Sequence, residues 1–160
     1  MEEESGEGVA EREDLDAAAM AAGNLVLVVD DDSGVRQLYS TFLLRQGFEV
    51  IAVRTGREGL AKAKDVVLSG VILDLALPDD NGYELCKKLR RIEGAQAAFV
   101  VMISGTHNLS EEKAFAAGAD AVIKKPFSTA DLARVLCKGI ADRAAGRPSK
   151  REIERGTAPG

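Results

Sequence analysis

Acidic, hydroxyl and ammonium side chains each follow a short apolar segment of this 160-residue chain. The segments 25–29 and 71–73 are continuous runs of Val, Leu and Ile, which is typical of strands buried on both faces of a parallel sheet. The polar residues that follow four such segments are Asp30 and Asp31, Asp74, Ser104, and Lys125. Open α/β sheets bind their ligands at the carboxyl ends of strands, so these residues are the candidate site.

Several carboxylates that meet at one sheet edge repel one another, so they must bind a cation or take up protons. Mg²⁺ suits such a cluster because it prefers oxygen ligands. The carboxylates of Asp30, Asp31 and Asp74 would balance the charges of Mg²⁺ and Lys125. A phosphoryl group added there would need donors, which the Lys125 ammonium and the Ser104 hydroxyl provide. Asp74 thus has the surroundings of a nucleophile that forms an aspartyl phosphate, although a turn Asp that caps the next helix is the ordinary alternative.

Helical segments alternate with the strand-like segments along the chain. The five strands are expected at about 25–29, 48–53, 71–74, 99–103 and 121–123. Ser33 is the expected N-cap of the first helix, and Asp32 is expected to support its start. This alternation predicts an α/β fold, namely a flavodoxin-like, doubly wound parallel sheet of five strands and five helices with strand order 2-1-3-4-5.

Charge divides the chain into one domain and two tails. Residues 1–23 carry eight acidic and one basic side chain and are expected to form a disordered arm, whereas the rest of the chain is almost neutral. We expect the domain to span 24–142 and a disordered tail to span 143–160. A near-neutral domain gives no basis for nucleic-acid binding. No apolar run is long enough to span a bilayer and no hydrophobic signal region is seen, so a cytoplasmic protein is expected.

The chain resembles the receiver domains of response regulators in two-component signalling. The resemblance covers about 24–142 and is carried by the candidate residues above together with three further groups. These are Pro78 and Gly82 after Asp74, Gly105 after Ser104, and Pro126 and Phe127 after Lys125. Together these motifs are highly specific, whereas any one of them alone would be weak.

The resemblance implies a phosphorelay function rather than conventional enzymatic turnover. Asp74 would accept a phosphoryl group from a histidine kinase or a histidine phosphotransfer protein. Mg²⁺ would be bound by Asp31, Asp74 and the Ala76 carbonyl, with Asp30 acting largely through water. Lys125 and Ser104 would contact the phosphoryl group. The peptide bond between Lys125 and Pro126 would be cis.

Two departures from the family pattern bear on signalling. The family couples the hydroxyl at Ser104 to an aromatic residue on the fifth strand, and thereby remodels the face of helix 4, strand 5 and helix 5 that binds a downstream protein. The matching position here is Val122, which has no ring to move. The positions that tune autodephosphorylation are Ala76 and Thr106, and Ala76 offers no side-chain hydrogen bond to an attacking water. A fairly long-lived phosphoryl state is therefore expected.

Two other functions compete with the receiver hypothesis. A haloacid-dehalogenase-type phosphohydrolase would use the acidic cluster after the first strand, but it would leave Asp74 without a role. A receiver-shaped interaction module that works without phosphorylation would have no need of a costly charge cluster.

Three side chains outside the acidic cluster have ordinary interpretations. His107, the one histidine of the sequence, could in principle carry phosphate but is expected to be an ordinary loop residue. Cys86 and Cys137 lack metal-ligand spacing and are expected to be reduced packing residues.

Overall fold

A five-stranded parallel sheet forms the centre of the domain. The computed structural model describes residues 23–105 and 109–149. The strands are β1 (Leu25–Val29), β2 (Glu49–Val53), β3 (Gly70–Asp74), β4 (Phe99–Ser104) and β5 (Ala121–Lys124). Their order in the sheet is β2-β1-β3-β4-β5, which confirms the predicted doubly wound topology.

Five α-helices connect the strands. They are α1 (Ser33–Arg45), α2 (Gly56–Ala63), α3 (Gly82–Leu89), α4 (Glu111–Ala117) and α5 (Thr129–Ala144), and a short 3₁₀ helix (Glu93–Ala95) follows α3. Within the described residues, no helix is both long and apolar enough to cross a membrane.

Helices cover both faces of the sheet, and successive residues of each strand point to opposite faces. Leu27 and Val29 of β1 pack in a core that includes side chains of α2, α3 and α4. Val26 and Val28 pack in a second core with side chains of α1 and α5. This two-sided burial explains the continuous apolar runs of the sequence. It also leaves polar side chains to gather at the strand ends.

Helix starts are fixed by side-chain caps, one of which differs from the prediction. The N-cap of α1 is Asp32, not Ser33: its carboxylate accepts hydrogen bonds from the N–H groups of Gly34 and Val35, at 2.8 and 3.1 Å. Ser33 is the first helical residue. A carboxylate at this position also interacts favourably with the positive end of the helix dipole.

A buried ion pair closes the end of the sheet opposite to the candidate site. The Asp120 side chain is fully buried and accepts hydrogen bonds from Arg90 Nη2 at 2.7 Å and from the N–H of Val100 at 2.9 Å. The Arg90 guanidinium also donates to the carbonyls of Ala98 and Gly118. Arg90 thereby ties the chain after α3 to the amino ends of β4 and β5.

Helix α5 continues two residues past Asp142, where we expected the domain to end. Arg143 donates to the Ala97 carbonyl at 2.9 Å, and Arg147 donates to the Asp142 carboxylate at 2.8 Å. We expected a disordered arm at 1–23 and a disordered tail at 143–160, of which residues 1–22 and 150–160 lie outside the described residues. Cys86 and Cys137 are both buried and outside any disulfide, as expected of packing residues.

Candidate functional site

The strand register brings the candidate residues to one edge of the sheet. Val29 pairs with Leu73, so Asp30 and Asp74 lie beside each other on the neighbouring strands β1 and β3. Asp74 pairs with Ile103, which places Ser104 next to it on β4. Ser104 pairs with Lys124, and Lys125 follows at once. Residues spread over most of the domain therefore meet at the carboxyl ends of four strands.

Three carboxylates form the acidic part of this site. One oxygen from each of Asp30, Asp31 and Asp74 lies within 4.8 Å of the others. Asp30 is buried, Asp31 is exposed and Asp74 is half-buried. A set of carboxylate oxygens this close together, with one side open to solvent, matches the oxygen ligands and retained waters that Mg²⁺ prefers. The residues present therefore fit a hard divalent cation.

Backbone contacts hold the two aspartates that follow β1. The Asp30 carboxylate accepts a hydrogen bond from the N–H of Asp32 at 2.9 Å. The carbonyl of Asp30 accepts one from Arg36 Nη1 at 2.8 Å. Asp32 in turn caps α1. The acidic turn is thus fixed to the first turn of α1, a role of Arg36 that its sequence position does not reveal.

The pKa of Asp74 is higher than that of an ordinary aspartate. Its carboxylate accepts a hydrogen bond from the N–H of Ala76 at 3.1 Å. Burial is the largest influence and raises the pKa of Asp74 from 3.8 to about 6. The Ala76 hydrogen bond opposes the rise, the Asp30 charge adds to it and the Lys125 ammonium opposes it. A cation bound at this cluster would favour the ionised, nucleophilic form.

The loop between β3 and α3 folds tightly over Asp74. The N–H of Gly82 donates to the carbonyl of Leu75 at 2.7 Å, and Ala76 forms an isolated antiparallel bridge with Asn81. A Cβ atom at Gly82 would lie 2.7 Å from the Leu75 Cα and 2.9 Å from the Asp74 carbonyl oxygen. A side chain at position 82 would therefore displace the backbone that carries Asp74.

Lys125 and Ser104 form the other side of the site. Ser104 is buried, and its carbonyl accepts a hydrogen bond from the N–H of Lys125 at 2.9 Å. A Cβ atom at Gly105 would lie 3.4 Å from the Lys125 Cδ, so the lysine stem passes close to this glycine. The Lys125–Pro126 peptide bond is cis, as the family resemblance implies.

An aromatic pair flanks the site on the α1 side. The rings of Tyr39 and Phe127 are 6.1 Å apart between centroids, and Tyr39 is buried. Burial, with smaller contributions from the charges of Asp30 and Asp74, raises the pKa of Tyr39 to about 12. The phenol is therefore neutral at physiological pH. Helical spacing alone does not show that Tyr39 lies close to the strand ends.

Two other expectations concern residues near the site. Thr106 and His107 lie outside the described residues. Val122 is half-buried on β5 and lines a groove of about 320 Å³ with Phe115 of α4 and Val135 of α5. At the position where the family pattern has a switching aromatic ring, this chain therefore has only a small apolar side chain beside the groove.

Comparisons with known proteins agree with this geometry. Residues 26–136 match the family model described as the response regulator receiver domain. The chain is 33% identical over 113 residues to the transcriptional regulatory protein GltR of Pseudomonas aeruginosa, a match that covers 70% of this chain and 47% of GltR. The chain therefore spans less than half of the length of that relative.

Solved structures show the same fold. A receiver domain protein from Methanospirillum hungatei JF-1, described as CheY-like, has a TM-score of 0.71 and 30% identity, and the match covers 76% of this chain and 97% of that one. The chemotaxis response regulator CheY4 of Vibrio cholerae has a TM-score of 0.67 and 30% identity, with 72% and 98% covered.

Proposed function

Because the chain belongs to the response regulator receiver domain family, we propose that Asp74 accepts a phosphoryl group from a histidine kinase or a histidine phosphotransfer protein. The main support is the convergence of Asp30, Asp31 and Asp74 within 4.8 Å at a sheet edge that also carries Ser104 and Lys125. A receiver domain is not a conventional enzyme, and the phosphohydrolase alternative is set aside with it.

Mg²⁺ is the cation we propose for this site. Asp31, Asp74 and the Ala76 carbonyl would hold it, and Asp30 would act largely through water. When bound, Mg²⁺ would neutralise charge on the phosphoryl oxygens. Oxygen donors of this kind are the ligands that Mg²⁺ prefers, and one exposed member leaves room for water and phosphate.

The chain's own residues would position the transferred group. A carboxylate oxygen of Asp74 would attack the phosphorus while the bond from phosphorus to the donor's histidine nitrogen breaks. The Lys125 ammonium and the Ser104 hydroxyl would donate hydrogen bonds to the phosphoryl oxygens, where negative charge collects. Asp74 must be ionised to attack, and the nearby Lys125 ammonium favours that form.

We further propose that phosphorylation alters binding of a downstream protein at the face of α4, β5 and α5. This face carries the groove beside Val122. Because valine has no ring to move between buried and exposed positions, the change would be transmitted by the backbone and by neighbouring side chains. We place the protein in the cytoplasm, where its phosphodonor would be found.

Intact-mass spectrometry with acetyl phosphate tests the phosphoacceptor role. We expect one phosphoryl group per chain in the presence of Mg²⁺, and none after addition of EDTA or in the Asp74→Asn variant. Asp80→Asn is the matched control, because it removes a carboxylate from the loop after β3 and should leave the adduct unchanged. Absence of an adduct in the wild-type chain would favour an interaction module that works without phosphorylation. Steady turnover of p-nitrophenyl phosphate would contradict the receiver assignment.

A further inference from the structure

Asp79, a turn residue by its sequence context, bridges two separate parts of the fold. One of its carboxylate oxygens accepts a hydrogen bond from the N–H of Gly56 at 2.9 Å, and the other accepts one from the N–H of Arg57 at 3.0 Å. These N–H groups belong to the first turn of α2, more than 20 residues earlier in the chain. The loop after β3 is therefore attached to the start of α2.

The attachment completes the cap of α2. The Thr55 hydroxyl accepts a hydrogen bond from the N–H of Glu58, and the Glu58 carboxylate accepts one from the N–H of Thr55. The first two N–H groups of a helix have no partner within it, and Asp79 satisfies both of them in α2. The same two hydrogen bonds hold the pKa of the exposed Asp79 carboxyl below its usual value. An ionised Asp79 thus acts as a cap supplied from another segment.

Helix α2 is a firm anchor because it lies close against the sheet. A Cβ atom at Gly59 would be only 3.1 Å from the Val29 Cγ2 of β1. Ala63, one turn further on, is fully buried in the core on this face. A loop tied to the start of this helix is therefore tied to the sheet.

The attached loop is the one that carries the Ala76 carbonyl. Its base is closed by the Ala76–Asn81 bridge and by the hydrogen bond from Gly82 to Leu75. Asp79 lies between these pairs, at the turn of the loop. Apart from this attachment, the loop is held at its base and by the ion pair between Asp80 and Lys88 of α3, at 2.8 Å.

We infer that Asp79 is a positioning residue that anchors the loop after β3 to α2 and so keeps the Ala76 carbonyl in place as a metal ligand. This inference rests on the proposed Mg²⁺ site and extends it to a residue that does not touch the metal. Groups that orient metal ligands typically change metal affinity by about 10- to 100-fold when removed. Because Ala76 is one ligand of several, we expect an effect at the lower end of this range.

Calorimetric titration with Mg²⁺ tests the inference in the full chain. Asp79→Ala should raise the Kd for Mg²⁺ about tenfold. Asp79→Asn keeps one acceptor oxygen and should give an intermediate Kd. Two controls separate the possible causes. Thr55→Ala removes the other cap of α2 but leaves the loop attached to it. Asp80→Asn removes a carboxylate from the same loop and weakens its partly exposed ion pair with Lys88, but it leaves α2 attached. Both should stay within about twofold of wild type.

The outcomes separate this inference from the proposed function. If the wild-type chain binds Mg²⁺ and Asp79→Ala binds it equally well, the anchoring role is wrong and the metal site stands. If Thr55→Ala weakens binding as much as Asp79→Ala, loss of helix capping is the cause and the anchoring role is again wrong. A wild-type chain that binds no Mg²⁺ overturns the metal site and this inference together. Circular dichroism of each variant shows whether it is folded before titration.

Discussion

Replacement of Asp74 by Asn should stabilise the metal-free protein. The pKa of Asp74 is raised from 3.8 to about 6 because the ionised carboxylate is half-buried beside Asp30. An acid whose pKa is higher in the folded than in the unfolded state is destabilising in the folded state once it is ionised. The folded state therefore loses stability as the pH rises from about 3.8 through about 6. Asn has the same shape without the charge and can still accept the hydrogen bond from Ala76.

The size of the effect follows from the pKa. The difference between 3.8 and about 6 corresponds to about 3 kcal/mol, since one pKa unit is about 1.4 kcal/mol. Partial exposure of Asp74 lets solvent screen the charge, so we expect Asp74→Asn to increase the free energy of unfolding by about 1–2 kcal/mol at pH 8. The gain should shrink as the pH falls through about 6 and be nearly lost at pH 4, where wild-type Asp74 is largely protonated.

Urea unfolding followed by circular dichroism provides the assay, in EDTA at pH 8 and pH 5. Asp65→Asn is the matched control because Asp65 is exposed, and it should change stability by less than about 0.5 kcal/mol. Addition of Mg²⁺ should stabilise the wild-type protein more than Asp74→Asn, because only the wild type keeps all three carboxylates. An Asp74→Asn variant that is no more stable than wild type at pH 8, or whose advantage grows on acidification, would show that the Asp74 charge does not destabilise the fold.

Two further variants test other parts of the account. Arg90→Ala should reduce the free energy of unfolding by about 3 kcal/mol, because it removes the main cation at the fully buried Asp120 carboxylate. Replacement of the exposed neighbour, Arg91→Ala, is the control in the same urea titration. Equal stability of the two variants would contradict the structural role of the Arg90–Asp120 pair. Ala76→Asn should shorten the lifetime of the phosphoryl group several-fold, because the amide of the introduced Asn can hydrogen-bond to an attacking water. The decay of radiolabelled phosphoprotein measures this lifetime. An unchanged rate of decay would remove the basis for a long-lived phosphoryl state.

The fold could be predicted from the sequence because both faces of the sheet are covered. Double burial gives strands such as β1 and β3 continuous apolar runs that stand out from the helical spacing between them. The polar residues at the strand ends can be recognised in the sequence because they directly follow these apolar runs. The same pattern therefore predicts that Asp30, Asp31 and Asp74 meet at one edge of the sheet.

Features that depend on contacts between distant segments could not be predicted in this way. Asp79 has the local surroundings of a turn residue, and its partners Gly56 and Arg57 are identified only once α2 packs beside the loop. Arg36 lies on α1, and its contact with the Asp30 carbonyl depends on how that helix docks. The choice of Asp32 over Ser33 as N-cap depends on a shift of one residue, which local preference does not resolve because both types cap helices well.

Phosphorylation of Asp74 is tested most directly by a crystal structure of the protein with Mg²⁺ and beryllofluoride, a mimic of the phosphoryl group. We expect the beryllium on a carboxylate oxygen of Asp74, with the fluorides in contact with Lys125 and Ser104. The metal should be bound by Asp31, Asp74 and the Ala76 carbonyl. Beryllofluoride on another residue, or a metal bound away from these carboxylates, would contradict the account.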